Sequence, residues 1–339
     1  MPVASLSLFA LGVALSGGAC ADSMLYAVGN TERIGMVTDL AAGETRVGLT
    51  VGILQRPVQM VRPENRFVVE AIPNDQFREN RNWKGLVILT DLNDPSDELE
   101  DAVSDLISRR EREEMAALPT DYRIIENAWA KGQAVLLLHA GSPEGLTAFL
   151  RERGETMVER FDVALQEVMG PLLEATGSDS EMEEYVAQNY GFEIVIPRGY
   201  STGEDREGRV VRIYRVVEGE PARFVLVHWM PLSEAPGSPE ALLDLRDRLG
   251  RIYYDGDYVL RERSGAEAGK LDGEPATLLH GIWQNDKYVI GGPFRSFGFQ
   301  RGDRYFLIDV SVFNPPGTKL PYLREVLAIA RTFQAVDPT

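Results

Sequence analysis

Two histidines and a serine are the residues of this chain whose types suit acid–base or nucleophilic catalysis. His139 and His228 each stand near the end of an apolar run that predicts a strand, and imidazole titrates in the range where general bases work. If the two side chains faced one cleft beside a carboxylate, they could serve as general bases in a metal-independent hydrolase. The alternative, which the sequence favours, is two hydrogen-bonded structural histidines. Ser142 follows a single glycine and precedes Pro143, so the segment is no nucleophile elbow and Ser142 is predicted to cap a helix.

A second candidate segment combines two glycines, a proline, an aromatic ring and a cation: Gly291, Gly292, Pro293, Phe294 and Arg295. Glycine permits a close backbone approach, and the proline restricts Gly292 to an extended conformation. These residues could shape the wall of a ligand pocket in which Trp283 and Arg295 contact the ligand or partner. The alternative, which glycines inside strands favour, is a bulge that bends a long strand over the core.

Metal and cofactor chemistry finds no support in the residue counts. The chain has one cysteine and three histidines that are far apart, which excludes a multi-thiolate centre and argues against a histidine-based one. The acidic run at 91–98 lacks the glycine of a calcium-binding loop and carries Pro95 where a ligand belongs. We therefore expect no metal and no cofactor.

The net charge of the chain limits its partners. There are 35 Lys and Arg against 52 Asp and Glu, which gives a net charge of −17. Such a charge repels nucleic acid at long range, so a nucleic-acid partner is not expected. The hydrophobic content of 44% is that of a globular protein.

Cys20 follows an apolar run at residues 3–15 and the small residues 17–19. This order is typical of a secretion signal, and a cysteine at that point is typical of the lipid-modified first residue of a bacterial lipoprotein. No Lys or Arg precedes the run, and Gly17 stands where such signals usually carry leucine. We predict a signal peptide over 1–19 and a lipid anchor at Cys20, which would hold the protein in the cell envelope, facing the periplasm or the cell surface. The alternative is a cleaved secretory peptide with an incidental or buried thiol.

Beyond Cys20, β-branched apolar runs alternate with helical stretches, which predicts an α+β fold. Strands are predicted at 34–39, 67–72, 86–90 and 134–138, with a C-terminal meander over 277–313. Asp94 is predicted to cap a helix that has Pro95 in its first turn. A closing helix is predicted from the spacing of Leu323, Val326, Leu327 and Ala330.

The polar segment 174–183 predicts a boundary between an N-terminal half, 20–176, and a C-terminal half, 185–339. In both halves a strand near a histidine is followed by Ser-Pro-Glu, a helix start with a capping serine. An ancient duplication would explain this, and each half would then be a mostly antiparallel sheet with helices packed on one face. The alternative is that Ser-Pro-Glu is simply a common helix start.

Three C-terminal motifs resemble a family of bacterial lipoproteins known as domain-of-unknown-function family 4837: GIW at 281–283, GGPF at 291–294 and YLREVLAI at 322–329. PENRF at 63–67 and WAKGQ at 129–133 agree with it in the N-terminal half. The resemblance implies a lipoprotein signal and an α+β fold, and it brings no activity or catalytic residue with it. The C-terminal half also resembles the α-β-α sandwich of PsbP-type domains.

These expectations define a lipid-anchored, extracytoplasmic protein that acts as a non-enzymatic binding or envelope-assembly module. Its membrane contact is the lipid, and its further partner is an envelope protein or a small ligand. The alternative is a metal-independent hydrolase that uses a His–carboxylate pair.

Overall fold

The computed structural model describes residues 24–41, 43–271 and 273–336. Cys20 and the predicted signal peptide lie outside the described residues. The chain forms two large β-sheets, one from strands between residues 33 and 140 and the other from strands between 201 and 313. The α+β class predicted from the sequence is confirmed. None of the helices in the described ranges is both long and apolar enough to cross a membrane.

The first sheet has five strands: β1 (Arg33–Thr38), β4 (Val68–Ala71), β5 (Gly85–Thr90), β6 (Thr120–Glu126) and β7 (Ala134–Ala140). Their order is β4-β1-β5-β7-β6. Every neighbouring pair is parallel except β6 with β7. The short strands β2 (Pro57–Val58) and β3 (Glu64–Asn65) pair separately. β5 and β7 are buried along their whole length, as expected of parallel strands covered on both faces.

Helices cover both faces of this sheet. On one face α1 (Thr45–Leu54) and the long α5 (Pro143–Thr176) share a core with the strands. On the other face lie α2 (Phe77–Asn80), α3 (Asp97–Leu106) and α4 (Arg109–Ala116).

The second sheet has eight strands: β9 (Ser201–Asp205), β10 (Val210–Arg215), β11 (Ala222–Pro231), β12 (Tyr258–Val259), β13 (Gly265–Leu271), β14 (Glu274–Asn285), β15 (Ile290–Arg301) and β16 (Arg304–Phe313). The order is β12-β14-β15-β16-β11-β10-β9, β13 also pairs with β14, and all pairs are antiparallel. α7 (Pro239–Tyr253) packs on one face. α6 (Ser180–Tyr190) and α8 (Leu320–Arg331) pack on the other, beside the short pair β8 (Phe192–Glu193) and β17 (Gln334–Ala335).

This topology corrects three details of the predicted arrangement. The first sheet is mostly parallel, not antiparallel, because its strands are joined by crossing helices. Helices cover both faces of each sheet, so the prediction of one covered face is wrong. The two strand orders are unequal, so the predicted duplication is wrong as well. We call the first sheet with helices α1 to α5 the first unit, and the second sheet with helices α6 to α8 the second unit. The layers of the second unit are helix, sheet and helix. The likeness to PsbP-type domains stays a prediction.

The predicted serine caps are confirmed. The side chains of Ser142 and Ser238 accept hydrogen bonds from the backbone N–H groups of Gly145 (3.0 Å) and Ala241 (3.2 Å) at the starts of α5 and α7.

The predicted cap at Asp94 is wrong. The backbone N–H of Asp94 donates to the carbonyl of Asp91 at 3.0 Å and closes a turn before the helix. α3 has Ser96 as its N-cap residue, and the backbone N–H of Ser96 donates to the carboxylate of Asp39 at 2.8 Å.

The two units are joined at α8. Glu64, in β3 of the first unit, accepts hydrogen bonds from the backbone N–H groups of Lys319 (2.9 Å) and Leu320 (3.0 Å) at the helix start. These N–H groups have no partner inside the helix, so Glu64 serves as a cap from outside the helix.

Candidate functional site

His139 is a structural residue of β7. Its side chain is fully buried; Nδ1 accepts a hydrogen bond from the backbone N–H of Leu92 (3.1 Å), and Nε2 lies 3.0 Å from the carbonyl of Leu118. The Asp91 carboxylate is 3.8 Å from Nδ1. Since both ring nitrogens already bond the backbone, this His–carboxylate pair has no free nitrogen to act as a general base.

His228 lies on β11 of the second sheet, whereas His139 belongs to the first, so the two histidines do not share a cleft. The Nδ1 atom of His228 is 3.0 Å from the carbonyl of Arg209. Burial lowers the pKa of His228, which keeps the ring neutral. The structure gives the hydrolase alternative no geometric support at either histidine.

The glycine–proline segment lies in a regular part of β15. Gly291, Gly292 and Pro293 each pair with one residue of β14, so the strand has no extra residue and the bulge interpretation is wrong. A Cβ atom on Gly292 would lie 1.9 Å from the carbonyl oxygen of Val312. Glycine is therefore required here by close packing of neighbouring backbones.

The predicted pocket contacts lie on opposite faces of the second sheet. Trp283 and Phe294 are buried beneath α7. Successive side chains of a strand alternate between faces, so Arg295 points to the α8 side. There burial lowers its pKa to about 10, and the charges of Glu267 and Asp162 oppose that effect. These residues do not form one pocket wall, and their role in binding stays a prediction.

A groove with a volume of about 810 Å³ lies at the junction of the two units. Its sides come from α5, α6 and α8, its floor includes β8, and Glu126 at the end of β6 reaches it from the first sheet. We call it the junction groove. Buried Gly170, Ile194 and Ala328 give it an apolar base.

The charge of the junction groove is almost entirely negative. Six glutamates line it: Glu126, Glu167, Glu174, Glu183, Glu184 and Glu193. The single cationic lining residue is Arg331, whose Nη1 atom is 3.6 Å from Glu167 and whose Nε donates to Gln166 at 3.1 Å. The pKa of Glu126 is raised because burial disfavours its charged form and because the negative charge of Glu167 repels it.

These glutamates differ in how they are held. Glu183 accepts a hydrogen bond from the backbone N–H of Ile196 (2.7 Å) and therefore supports the fold. The side-chain carboxylates of Glu126, Glu174 and Glu193 make no hydrogen bond or ion pair with another residue in the described part of the chain, and all three residues are exposed. Three partnerless carboxylates remain available to a ligand.

Sequence reasoning missed the junction groove, because its walls come from segments far apart in the chain. The polar run at 174–183, which supplies Glu174 and Glu183, predicted only a boundary between halves. Its density of acidic residues beside two helix ends was the one available signal.

The comparisons bear on the second unit. Residues 179–332 match the model of the family described as domain of unknown function (DUF4837). The motifs at 281–283, 291–294 and 322–329 lie inside that range, whereas those at 63–67 and 129–133 lie outside it. Comparison with curated proteins finds no match.

Three solved structures illustrate the partial similarity to known proteins. A protein of Bacteroides thetaiotaomicron VPI-5482 has 13% identity and a TM-score of 0.30 over 43% of this chain and 46% of its own, so the chain spans less than half of that protein. LpqN of Mycobacterium tuberculosis, described as involved in cell envelope biogenesis, has 10% identity and a TM-score of 0.29 over 43% and 83%. A STAR-related lipid transfer protein of Xanthomonas axonopodis has 11% identity and a TM-score of 0.23 over 40% and 98%.

Proposed function

Starting from the match of residues 179–332 to the model of family DUF4837, we propose that this chain is a non-enzymatic binding module. Its ligand is a basic segment of an envelope protein, and that segment occupies the junction groove. The observation that carries this proposal is the set of three exposed, partnerless carboxylates around a groove of about 810 Å³.

A cationic ligand suits the electrostatics of the groove. Burial and, to a lesser degree, repulsion by Glu167 raise the pKa of Glu126, and a Lys or Arg side chain bound beside Glu126 opposes that repulsion. The long methylene stems of these side chains can cover the apolar base while their charged ends face the carboxylates. The net charge of −17 also favours the approach of a basic partner over long range.

The module is held at the membrane by lipid on Cys20, in our proposal. The support is the order of an apolar run, small residues and a single cysteine at the N-terminus. Metabolic labelling with a lipid precursor tests this part independently. We expect label on the wild type and none on Cys20→Ser, and label that persists on the variant refutes attachment at Cys20.

Calorimetric titration with tetralysine tests the groove. We expect binding that weakens as salt is raised, and no binding of tetraglutamate under the same conditions. The combined variant Glu126→Gln, Glu174→Gln and Glu193→Gln should lose about tenfold in affinity, because each removed charge contributes about 0.5 kcal/mol.

A second triple variant controls for net charge. Glu207→Gln, Glu218→Gln and Glu262→Gln alter exposed glutamates that are not among the residues lining the groove. This variant carries the same charge change and should bind tetralysine as the wild type does. Equal losses in both triple variants, or no binding to the wild type, would overturn the proposed site.

A further inference from the structure

A second, smaller pocket lies on the other side of α6, within the segment that matches the family model. Its volume is about 280 Å³, and its walls are Met182, Tyr185, Val186 and Tyr190 of α6 and Val211 of β10. The edge strand β9 closes it with Thr202, Gly203 and Glu204. A dry apolar cavity of about 150 Å³ admits benzene, so this pocket can hold a short alkyl chain or one ring.

The mouth of this pocket carries one carboxylate and two tyrosine hydroxyls. Glu204 accepts hydrogen bonds from Tyr190 and from Tyr185 (3.1 Å). The bond from Tyr190 and the one from Tyr185 hold the pKa of Glu204 below its usual range despite some desolvation, so the carboxylate is ionised at neutral pH. The two tyrosine rings meet edge to face, with centroids 6.2 Å apart.

A cation of the chain itself contacts both tyrosines of this mouth. The Arg206 guanidinium lies 5.8 Å from the centre of the Tyr190 ring, and its Nη2 donates to the hydroxyl of Tyr185 at 2.8 Å. Arg206 is exposed and does not line the pocket itself, so its guanidinium contacts the two tyrosines from the solvent side. An aromatic face, a carboxylate and an exchangeable guanidinium are the parts of a cation-binding site.

We propose that this pocket binds the side chain of a lysine, or another alkylammonium group, from a ligand. The alkyl stem lies between Met182, Val186 and Val211. The ammonium group contacts Glu204 and the tyrosine rings, and in doing so it displaces Arg206. The site is separate from the junction groove, and it stands or fails independently of the function proposed there.

The charges favour an ammonium group over a carboxylate. A carboxylate in the mouth would face ionised Glu204, and its one cationic partner, Arg206, is already bonded to Tyr185. An ammonium group instead finds the unused lone pairs of Glu204 and the negative faces of two rings.

Titration with n-hexylammonium, and with n-hexanoate as the matched anion, tests this proposal. The ring centroids of Trp229 and Tyr190 are 5.1 Å apart, so tryptophan fluorescence can report binding in addition to calorimetry. We expect hexylammonium to bind and hexanoate to bind at least about fivefold more weakly. Glu204→Gln should weaken hexylammonium binding about fivefold, whereas Glu218→Gln, an exposed glutamate elsewhere, should not change it.

The Arg206→Ala variant tests the proposal by the direction in which the affinity for hexylammonium changes. Loss of the competing guanidinium should tighten hexylammonium binding about threefold or more, whereas a residue that only lined the pocket would weaken binding when removed. Melting curves for each variant establish that it is folded. Equal binding of the two probes, equal effects of Glu204→Gln and Glu218→Gln, or weaker binding to Arg206→Ala would each overturn the proposal.

Discussion

Arg324 of α8 and Asp162 of α5 form a buried, bidentate ion pair that joins the two units of the protein. Nε of Arg324 donates to Oδ1 at 2.7 Å and Nη2 donates to Oδ2 at 3.1 Å. The same guanidinium donates to the backbone carbonyls of Thr31 (3.1 Å) and Arg66 (2.7 Å). A charged residue of the second unit therefore has all of these acceptors in the first unit.

Asp162→Asn should destabilise the whole chain. Burial acts to raise the pKa of Asp162, but the charge and hydrogen bonds of Arg324, together with the charge of Arg66 and a hydrogen bond from Gln166, keep that pKa below its usual value. Arg324 has no exposed surface, so removing the negative charge of Asp162 leaves a buried cation without its counter-ion. This lowers the free energy of unfolding by about 3 kcal/mol. Urea unfolding measures the change. The double variant Asp162→Leu with Arg324→Met should recover much of it, and an unchanged urea midpoint for Asp162→Asn would contradict the prediction.

The sequence predicted elements better than their arrangement. The run at 134–138 and the stripe of Leu323 and Leu327 depend on local periodicity, and both elements occur, as β7 and α8. A strand buried on both faces loses the alternation that distinguishes antiparallel from parallel pairing. For that reason the direction of pairing in the first sheet could not be derived from its apolar runs.

The candidate site could not be predicted from the sequence, for a different reason. Glu126 and Glu193 are 67 positions apart and belong to different sheets, so only the packing of α5 against α8 brings them to one groove. In contrast, the histidine interpretation depended on local cues. The favoured prediction of a hydrogen-bonded structural residue agrees with the two bonds that His139 makes.

Glu64→Ala should weaken the joint between the units without removing a buried charge. Its carboxylate is the acceptor for the backbone N–H groups of Lys319 and Leu320, so the variant loses a helix cap worth about 1 kcal/mol. Chemical unfolding measures the loss. Glu79→Ala, in an exposed position on α2, is the matched control and should change the stability by less than about 0.5 kcal/mol. Equal effects of the two changes would show that the cap does not contribute.

Asp257 should make the stability of the protein fall as pH rises between about 4 and 6. Burial raises its pKa in the folded protein to about 6 against an ordinary value of 3.8, although Asn285 donates a hydrogen bond to it at 2.7 Å. In that interval the folded state binds a proton that the unfolded state has released, so the free energy of unfolding decreases with pH. Asp257→Asn should flatten this slope and raise the melting temperature at pH 7.5 more than at pH 4. A slope that is the same in both proteins would contradict the prediction.

Gly292→Ala distinguishes a packing role from a binding role for the glycine–proline segment. The added methyl group would lie 1.9 Å from the carbonyl of Val312 and 2.9 Å from Nε1 of Trp283, so β15 and β16 must separate. Overpacking of this kind costs about 2 kcal/mol. Gly237→Ala is the control, because its added Cβ has no heavy atom within 4 Å. We expect thermal unfolding to shift for Gly292→Ala alone. If Gly292→Ala instead melts like the wild type, the close approach does not need glycine, and the predicted pocket wall becomes the better account of this segment.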